Sequence, residues 1–130
     1  MSISSQQTPI DTGIGRKPAA AEVMEGIDLS GKTALVTGGY SGIGVETVRA
    51  LTKAGATVLV PSRDIDRAVK TLEGIIPADQ VGFMDLSVLP TVERYGEDLS
   101  SAYPIIDLAI FNASVMACPV DRTTQGLEWQ

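Results

Sequence analysis

The sequence of 130 residues contains no histidine and a single cysteine, Cys118. Without histidine, Ser-His-Asp and Cys-His catalytic groups are excluded, and the commonest metal ligand is missing. One cysteine cannot form an intrachain disulfide, and no zinc-binding set or EF-hand spacing is present. We therefore predict no metal site and a reducing compartment, the cytoplasm. Since the sequence has no histidine to act as a base, Cys118 is interpreted as a buried or incidental residue rather than a nucleophile.

Long apolar runs and an excess of basic residues are also missing. No run approaches the roughly 18–20 apolar residues that a membrane span requires, so no span is predicted. Residues 1–12 are polar and lack the pattern of a secretory signal. Ten basic residues stand against 16 acidic ones, a net charge of −6, which disfavours nucleic acid as a partner.

What is present is a composition typical of a folded protein, with 44% hydrophobic residues. Ser, Gln, Thr, Pro and Gly dominate the beginning of the chain, and residues 1–27 are predicted to be a flexible arm. A short helix is compatible with residues 18–25. Residues 28–130 are predicted to form one domain.

Within that domain, apolar runs alternate with segments of helical spacing. Strands are predicted at residues 33–37, 57–60, 81–84 and 105–111, and helices at residues 42–54, 64–72 and 87–100. Asp64 and Ser87 are candidate helix caps, and Pro90 is tolerable in a first turn. Pro61 is expected to end the second strand. The alternation predicts an α/β fold: a doubly wound parallel sheet with strand order 3-2-1-4.

A glycine loop follows the first strand, and residues 37–44 read TGGYSGIG. Glycines between a strand and a helix allow the backbone to approach a pyrophosphate, whose charge is favoured at the helix N-terminus. The alternative is a tight turn that recruits glycine for geometry alone. The strand before the loop and the helix after it favour the phosphate-binding interpretation.

The spacing Thr-Gly-x-x-x-Gly-x-Gly resembles that of the classical short-chain dehydrogenase/reductase family. The wider stretch from Leu29 to Asp64 is similar to the retinol-dehydrogenase-like and protochlorophyllide-reductase-like branch, and the resemblance covers about residues 26–130. It implies a Rossmann-type NAD(P)-binding domain, and in the whole enzyme hydride transfer between the cofactor and a small-molecule carbonyl or alcohol. Because the pattern stops after the fourth strand, we expect an incomplete, truncated N-terminal half of that fold.

The end of the second strand bears on the choice of cofactor. Arg63 has a planar donor fork suited to a 2′-phosphate, and Ser62 adds a hydroxyl. NADP(H) is therefore favoured, with NAD(H) as the alternative. Arg63 is otherwise interpreted as a solvated loop residue paired with Asp64 or Asp66.

Two later segments complete the predicted site. In the family that the chain resembles, an aspartate at the position of Asp85 accepts the adenine amino group, although Asp85 is also suited to cap a helix. The segment after the fourth strand matches the family's Asn-Asn-Ala-Gly, with Phe111 and Ser114 as departures. The predicted cofactor-binding residues are Gly38, Tyr40, Ser41, Gly42, Ile43, Gly44, Ser62, Arg63, Asp85, Leu86, Asn112, Ala113 and Ser114.

The family's catalytic Tyr-x-x-x-Lys pair is not found in this sequence. The residues four positions after Tyr40, Tyr95 and Tyr103 are glycine, leucine and aspartate. We therefore predict no catalytic residue and no activity for these 130 residues alone. The alternative to a piece of an enzyme is a non-catalytic NAD(P)-binding regulatory module. Residues 124–130 resemble the segment that enters a long helix of the family, and Trp129 on that helix is expected to pack against the rest of the domain. The exposed edge of the sheet is expected to favour self-association.

Overall fold

The computed structural model describes residues 11, 13–15 and 17–129, in which strands and helices alternate. The strands are β1 (Thr33–Thr37), β2 (Thr57–Ser62), β3 (Val81–Phe83) and β4 (Leu108–Phe111). The α-helices are α1 (Ala20–Val23), α2 (Ile43–Lys53), α3 (Ile65–Thr71) and α4 (Leu89–Ala102), and a 3₁₀ turn (Ala78–Gln80) precedes β3. The predicted alternation is confirmed. Residues 1–10, 12 and 16 of the predicted arm lie outside the described residues.

The four strands form one parallel sheet in the order β3-β2-β1-β4, as predicted. β1 is central, and its Leu35 is in register with Leu59 of β2 and Ala109 of β4. Helices α2 and α3 each connect neighbouring strands, whereas α4 carries the chain from β3 to β4 on the other side of β1. Right-handed crossovers in the usual doubly wound order produce this arrangement. All four carboxyl ends therefore meet at one edge of the sheet.

The core lies between one face of the sheet and the helices α2 and α3. Alternate residues of β1 and β2 point to this face and meet Val48 and Leu51 of α2 and Ala68 of α3. The fully buried members of this cluster are Ala34, Val36, Val48, Val58, Val60, Ala68 and Leu72. Burial of each valine contributes about 1.5–3 kcal/mol, which ties the helices firmly to the sheet.

β4 forms an edge of the described sheet and is more exposed than β1 and β2. Its Ala109 is exposed, and the Phe111 side chain is 81% exposed. Helix α4 lies against β3, where the Tyr95 ring occupies the space that a side chain at Gly82 would fill. Burial of the phenol, together with the neighbouring Tyr103, raises the pKa of Tyr95 to about 12.

Asp107 holds the start of β4 to the start of β1. Its Oδ2 accepts a hydrogen bond from the Thr33 N–H at 2.9 Å, and its Oδ1 accepts one from Lys32 Nζ at 2.8 Å. Its own N–H donates to the Thr33 carbonyl at 2.9 Å. The strand predicted from residue 105 therefore starts three residues later, beyond this clamp.

Other local predictions need correction. β2 continues through Pro61 to Ser62, because its register partners beyond Leu59 lie on β3 and the pairing with β1 has ended. Ser87 does not cap α4, whose N-cap is Val88 without a side-chain bond, although Pro90 does occupy the first turn.

No helix in the described ranges is long and apolar enough to cross a membrane. Over the same residues, no group of three or more Cys, Asp or Glu side chains is arranged to hold a metal ion. Helix α1 contacts α2, and Met24 packs against the core.

Candidate cofactor cleft

An open cleft of about 690 Å³ lies where the carboxyl ends of the four strands meet. It is lined by the glycine loop and by the residues that follow β2, β3 and β4. All thirteen residues predicted from the sequence to bind a cofactor are among its lining residues. The structure thus brings the predicted set into one place, and their contact with a ligand stays a prediction.

The glycine loop packs closely against the residues at the end of β4. A Cβ on Gly44 would overlap the Gly38 carbonyl oxygen and come within 2.8 Å of Asn112 Nδ2. Gly38 has a φ of +65°, and its Cβ would lie 3.0 Å from Ala113 Cα. At both positions a side chain would displace backbone, so the glycines here serve close approach as well as turn geometry.

Asn112 and Ala113 lock this contact with hydrogen bonds. Asn112 Nδ2 donates to the carbonyl oxygens of Thr37, at 3.2 Å, and Gly38, at 3.3 Å. The Ala113 N–H donates to Thr37 Oγ1 at 3.0 Å. Asn112 therefore braces β4 against the end of β1.

The first turn of α2 faces the cleft. Its N-cap is Gly42, at φ +51°, and no side chain caps the helix. No described residue accepts a hydrogen bond from the N–H of Gly42 or Ile43. A Cβ on Gly42 would meet nothing within 4 Å, so open space lies beside these donors. Unpaired N–H groups at the positive end of an 11-residue helix suit an anion such as a pyrophosphate.

Ser62 and Asp64 shape the turn that presents Arg63. Ser62 is 1% exposed, and its hydroxyl donates to the Asp64 carbonyl at 2.8 Å and accepts from the Asp64 N–H at 3.0 Å. Asp64 caps α3 as predicted, with Oδ1 accepting from the Arg67 N–H at 3.1 Å. Arg63 itself is exposed at the rim of the cleft.

The structure shows Arg63 as an exposed loop residue, but the pairing with Asp64 or Asp66 suggested as an alternative is not formed among the described residues. In the described ranges the ion pairs are made by Lys32, Arg49 and Arg122. The guanidinium of Arg63 is therefore available to a ligand in the cleft.

Asp85 occupies the corner after β3 with its carboxylate held in place. Its Oδ1 accepts hydrogen bonds from the Ser87 hydroxyl at 2.6 Å and the Ser87 N–H at 2.9 Å, and its N–H donates to Thr91 Oγ1 at 2.9 Å. The bonds from Ser87, helped by the charge of Arg63, lower the pKa of Asp85 despite partial desolvation. Asp85 thus organises the turn before α4 without being its N-cap.

The sequence missed several lining residues of the cleft. Some flank predicted positions and were within reach of the strand-end argument: Thr37, Pro61, Met84, Ser87 and Val115. Three others, Thr123, Glu128 and Trp129, come from a turn in which Arg122 and Glu128 form an antiparallel bridge. This turn replaces the predicted helix entry, because Gly126 at φ +80° reverses the chain. No local sequence pattern predicts that this turn folds back to the cleft.

Comparisons with known proteins agree with this geometry. The family model described as short chain dehydrogenase matches residues 32–130. The WW domain-containing oxidoreductase of Drosophila melanogaster is 39% identical, over 84% of this chain and 28% of its own length. Mouse retinol dehydrogenase 11 is 34% identical over 78% of this chain and 34% of its length. The chloroplastic short-chain dehydrogenase TIC 32 A of Brassica napus is 33% identical over 92% of this chain and 39% of its own length.

Solved structures show the same fold. A protein from Mycobacterium paratuberculosis superimposes with a TM-score of 0.70 at 31% identity, over 78% of this chain and 37% of that chain. A metagenomic short-chain oxidoreductase in complex with NADP has a TM-score of 0.61 at 30% identity, over 67% of this chain and 41% of that chain. The chain thus spans roughly a third of the length of these relatives. By sequence match, strand order and glycine loop, it belongs to the short-chain dehydrogenase family.

Proposed function

We propose that this chain binds NADP(H) and is the cofactor-binding part of a reductase or dehydrogenase acting on a small-molecule carbonyl or alcohol. The observation that carries the proposal is the cleft at the carboxyl edge of the sheet, where the thirteen predicted residues meet. In open α/β sheets, ligands bind at this edge, where the strand order reverses. Here the reversal falls between β1 and β4.

The pyrophosphate would lie against the first turn of α2. The N–H groups of Gly42 and Ile43 have no acceptor among the described residues, and Gly42 leaves room beside them. Ser41, exposed at the same rim, adds a hydroxyl. The ribose of the nicotinamide half would run past Asn112 to Ser114, whose backbone lines the far side of the cleft.

The adenosine half would lie between Arg63 and Asp85. Arg63 would bind the 2′-phosphate that distinguishes NADP(H) from NAD(H), using its fork of N–H donors. Both hydrogen bonds from Ser87 go to Oδ1 of Asp85, which leaves Oδ2 to accept the adenine amino group. The lowered pKa keeps this carboxylate ionised at neutral pH. Leu86, about half exposed, offers an apolar surface beside it.

Bound NADPH would supply a hydride, but this sequence holds no tyrosine with a lysine four residues later to pass a proton to the substrate. We therefore propose cofactor binding without turnover for these 130 residues by themselves. The alternative, a non-catalytic NAD(P)-binding module, would use the same cleft. The coding sequence after Gln130 distinguishes the two proposals. A serine and a Tyr-x-x-x-Lys motif there support the enzyme, and a stop codon supports the module.

A binding titration of the chain with NADPH and with NADH tests the proposal. We expect Arg63→Ala to weaken NADPH about tenfold, because one charge-assisted contact contributes about 1.5 kcal/mol or more. NADH binding should change little. Arg67→Ala is the matched control, since Arg67 is exposed on α3 and does not line the cleft. Equal losses for both cofactors contradict the role of Arg63, and no binding of either cofactor to the unmodified chain contradicts the proposed function.

A further inference from the structure

The last described residues form a well-bonded turn, here called the C-terminal hairpin (residues 121–129). The Thr123 N–H donates to the Leu127 carbonyl at 2.8 Å, and the Gly126 N–H donates to the Thr123 carbonyl at 2.9 Å. Arg122 Nη1 donates to the Gly126 carbonyl at 2.9 Å. The Trp129 N–H closes the hairpin on the Asp121 carbonyl at 3.3 Å. These bonds hold the backbone at Trp129 to the opposite side of the hairpin.

The hairpin is anchored beside the corner that follows β3. Gln125 Oε1 accepts a hydrogen bond from the N–H of Leu89, the first residue of α4, at 3.2 Å. Leu89 is three residues after Leu86, and Leu86 and Asp85 line the cleft. The hairpin therefore lies on the adenosine side of the proposed site.

Trp129 belongs to the wall of this cleft and not to the core. It lines the cleft, is 37% exposed, and is not a member of the hydrophobic core cluster described above. This differs from the packing role expected from the sequence. A large aromatic face left at the wall of an open cleft is suited to stack on a flat ring.

We propose that Trp129 stacks on the adenine ring of NADP(H), an inference that rests on the proposed function. Glu128, the neighbouring residue, also lines the cleft, whereas Arg122, whose Nη2 lies 3.9 Å from Glu128 Oε1, does not. This wall therefore presents a carboxylate and no cation to a ligand, which favours an uncharged group over a phosphate. The phosphates are accounted for by the start of α2 and by Arg63. An uncharged base is the part of the cofactor that fits between the hairpin and the Asp85 corner.

Tryptophan fluorescence tests this contact directly, because Trp129 is the only tryptophan in the sequence. The probe is 2′,5′-ADP, the adenosine half of NADP(H), which lacks the reduced nicotinamide that would quench tryptophan by energy transfer. We expect 2′,5′-ADP to change the Trp129 emission with a midpoint equal to its calorimetric Kd. Calorimetric binding that leaves the emission unchanged would overturn the proposal.

Substitution supplies a second, independent measurement. We expect Trp129→Ala to weaken both 2′,5′-ADP and NADPH at least about fivefold, and Trp129→Phe to restore most of the loss, because base stacking on an aromatic ring contributes about 1 kcal/mol or more. Leu127→Ala is the control, because Leu127 belongs to the same hairpin and does not line the cleft. If Trp129→Ala and Trp129→Phe both bind like the unmodified chain, or if only NADPH is affected, the adenine contact is wrong. Failure of the unmodified chain to bind either ligand would instead contradict the proposed function.

Discussion

Replacement of Gly44 by alanine tests whether close packing, more than turn geometry, explains the glycine loop. The added methyl would overlap the Gly38 carbonyl oxygen and lie 2.8 Å from Asn112 Nδ2. Overpacking of this kind costs about 1–3 kcal/mol. Displacement of Asn112 would also weaken its two long hydrogen bonds, each contributing about 0.5–1.5 kcal/mol. The usual gain of about 0.5–1 kcal/mol for glycine to alanine in a helix offsets part of this loss.

The expected net effect of Gly44→Ala is a loss of about 2–4 kcal/mol in the free energy of unfolding, measured by urea denaturation followed by circular dichroism. Gly96→Ala is the matched control, since Gly96 lies in α4 and its Cβ would meet nothing within 4 Å. That variant should be unchanged or more stable by up to about 1 kcal/mol. If both variants have the same stability, the packing argument is wrong and the loop tolerates a side chain at Gly44.

Two further predictions concern titratable groups. Hydrogen bonds from Lys32 and Thr33 lower the pKa of Asp107, so its stabilising effect should be complete above about pH 4 and be lost as the pH falls through the lowered value. The difference in free energy of unfolding between the unmodified chain and the Asp107→Asn variant should therefore become smaller as the pH falls. A difference that stays constant from pH 7 to pH 2 would argue against the clamp between β1 and β4. Absorbance at 295 nm should show one tyrosine ionising at about pH 12, and Tyr95→Phe should remove that step; if the step survives the substitution, it belongs to another tyrosine.

The sequence predicted those parts of the fold whose signals are local. The apolar run of β1, the glycines after it and the spacing of Val48 and Leu51 lie within some 20 residues of chain. Each of these segments has one stable conformation in a covered parallel sheet. The strand order was then predicted from right-handed crossovers together with the usual order of a doubly wound sheet. The residues that follow the strands gather at one edge because the strands are parallel. The thirteen site positions were named from this strand-end argument together with the family resemblance, and their contact with a cofactor stays a prediction.

Contacts between distant segments set what the sequence did not predict. Pro61 stays within β2 because the pairing with β1 has already ended, and strand pairing is invisible in a local pattern. Ser87 is a residue type that commonly caps helices. In the structure its hydroxyl and N–H donate hydrogen bonds to Asp85 Oδ1 instead, and α4 has Val88 as its N-cap. The fold-back of Trp129 depends on Gln125 meeting the start of α4, a contact 36 residues apart.

The bonds from Asn112 to the end of β1 have a consequence for the order of folding. They join residues 74 and 75 positions apart, so the loop that begins at Gly38 gains its final shape only after β4 has joined the sheet. Contacts of such long sequence separation form late, because the intervening chain must first be ordered. A nascent or partly unfolded chain can therefore contain β1, β2 and their helices and still lack an assembled cleft. Cofactor affinity would then serve as a reporter of the last strand-docking step.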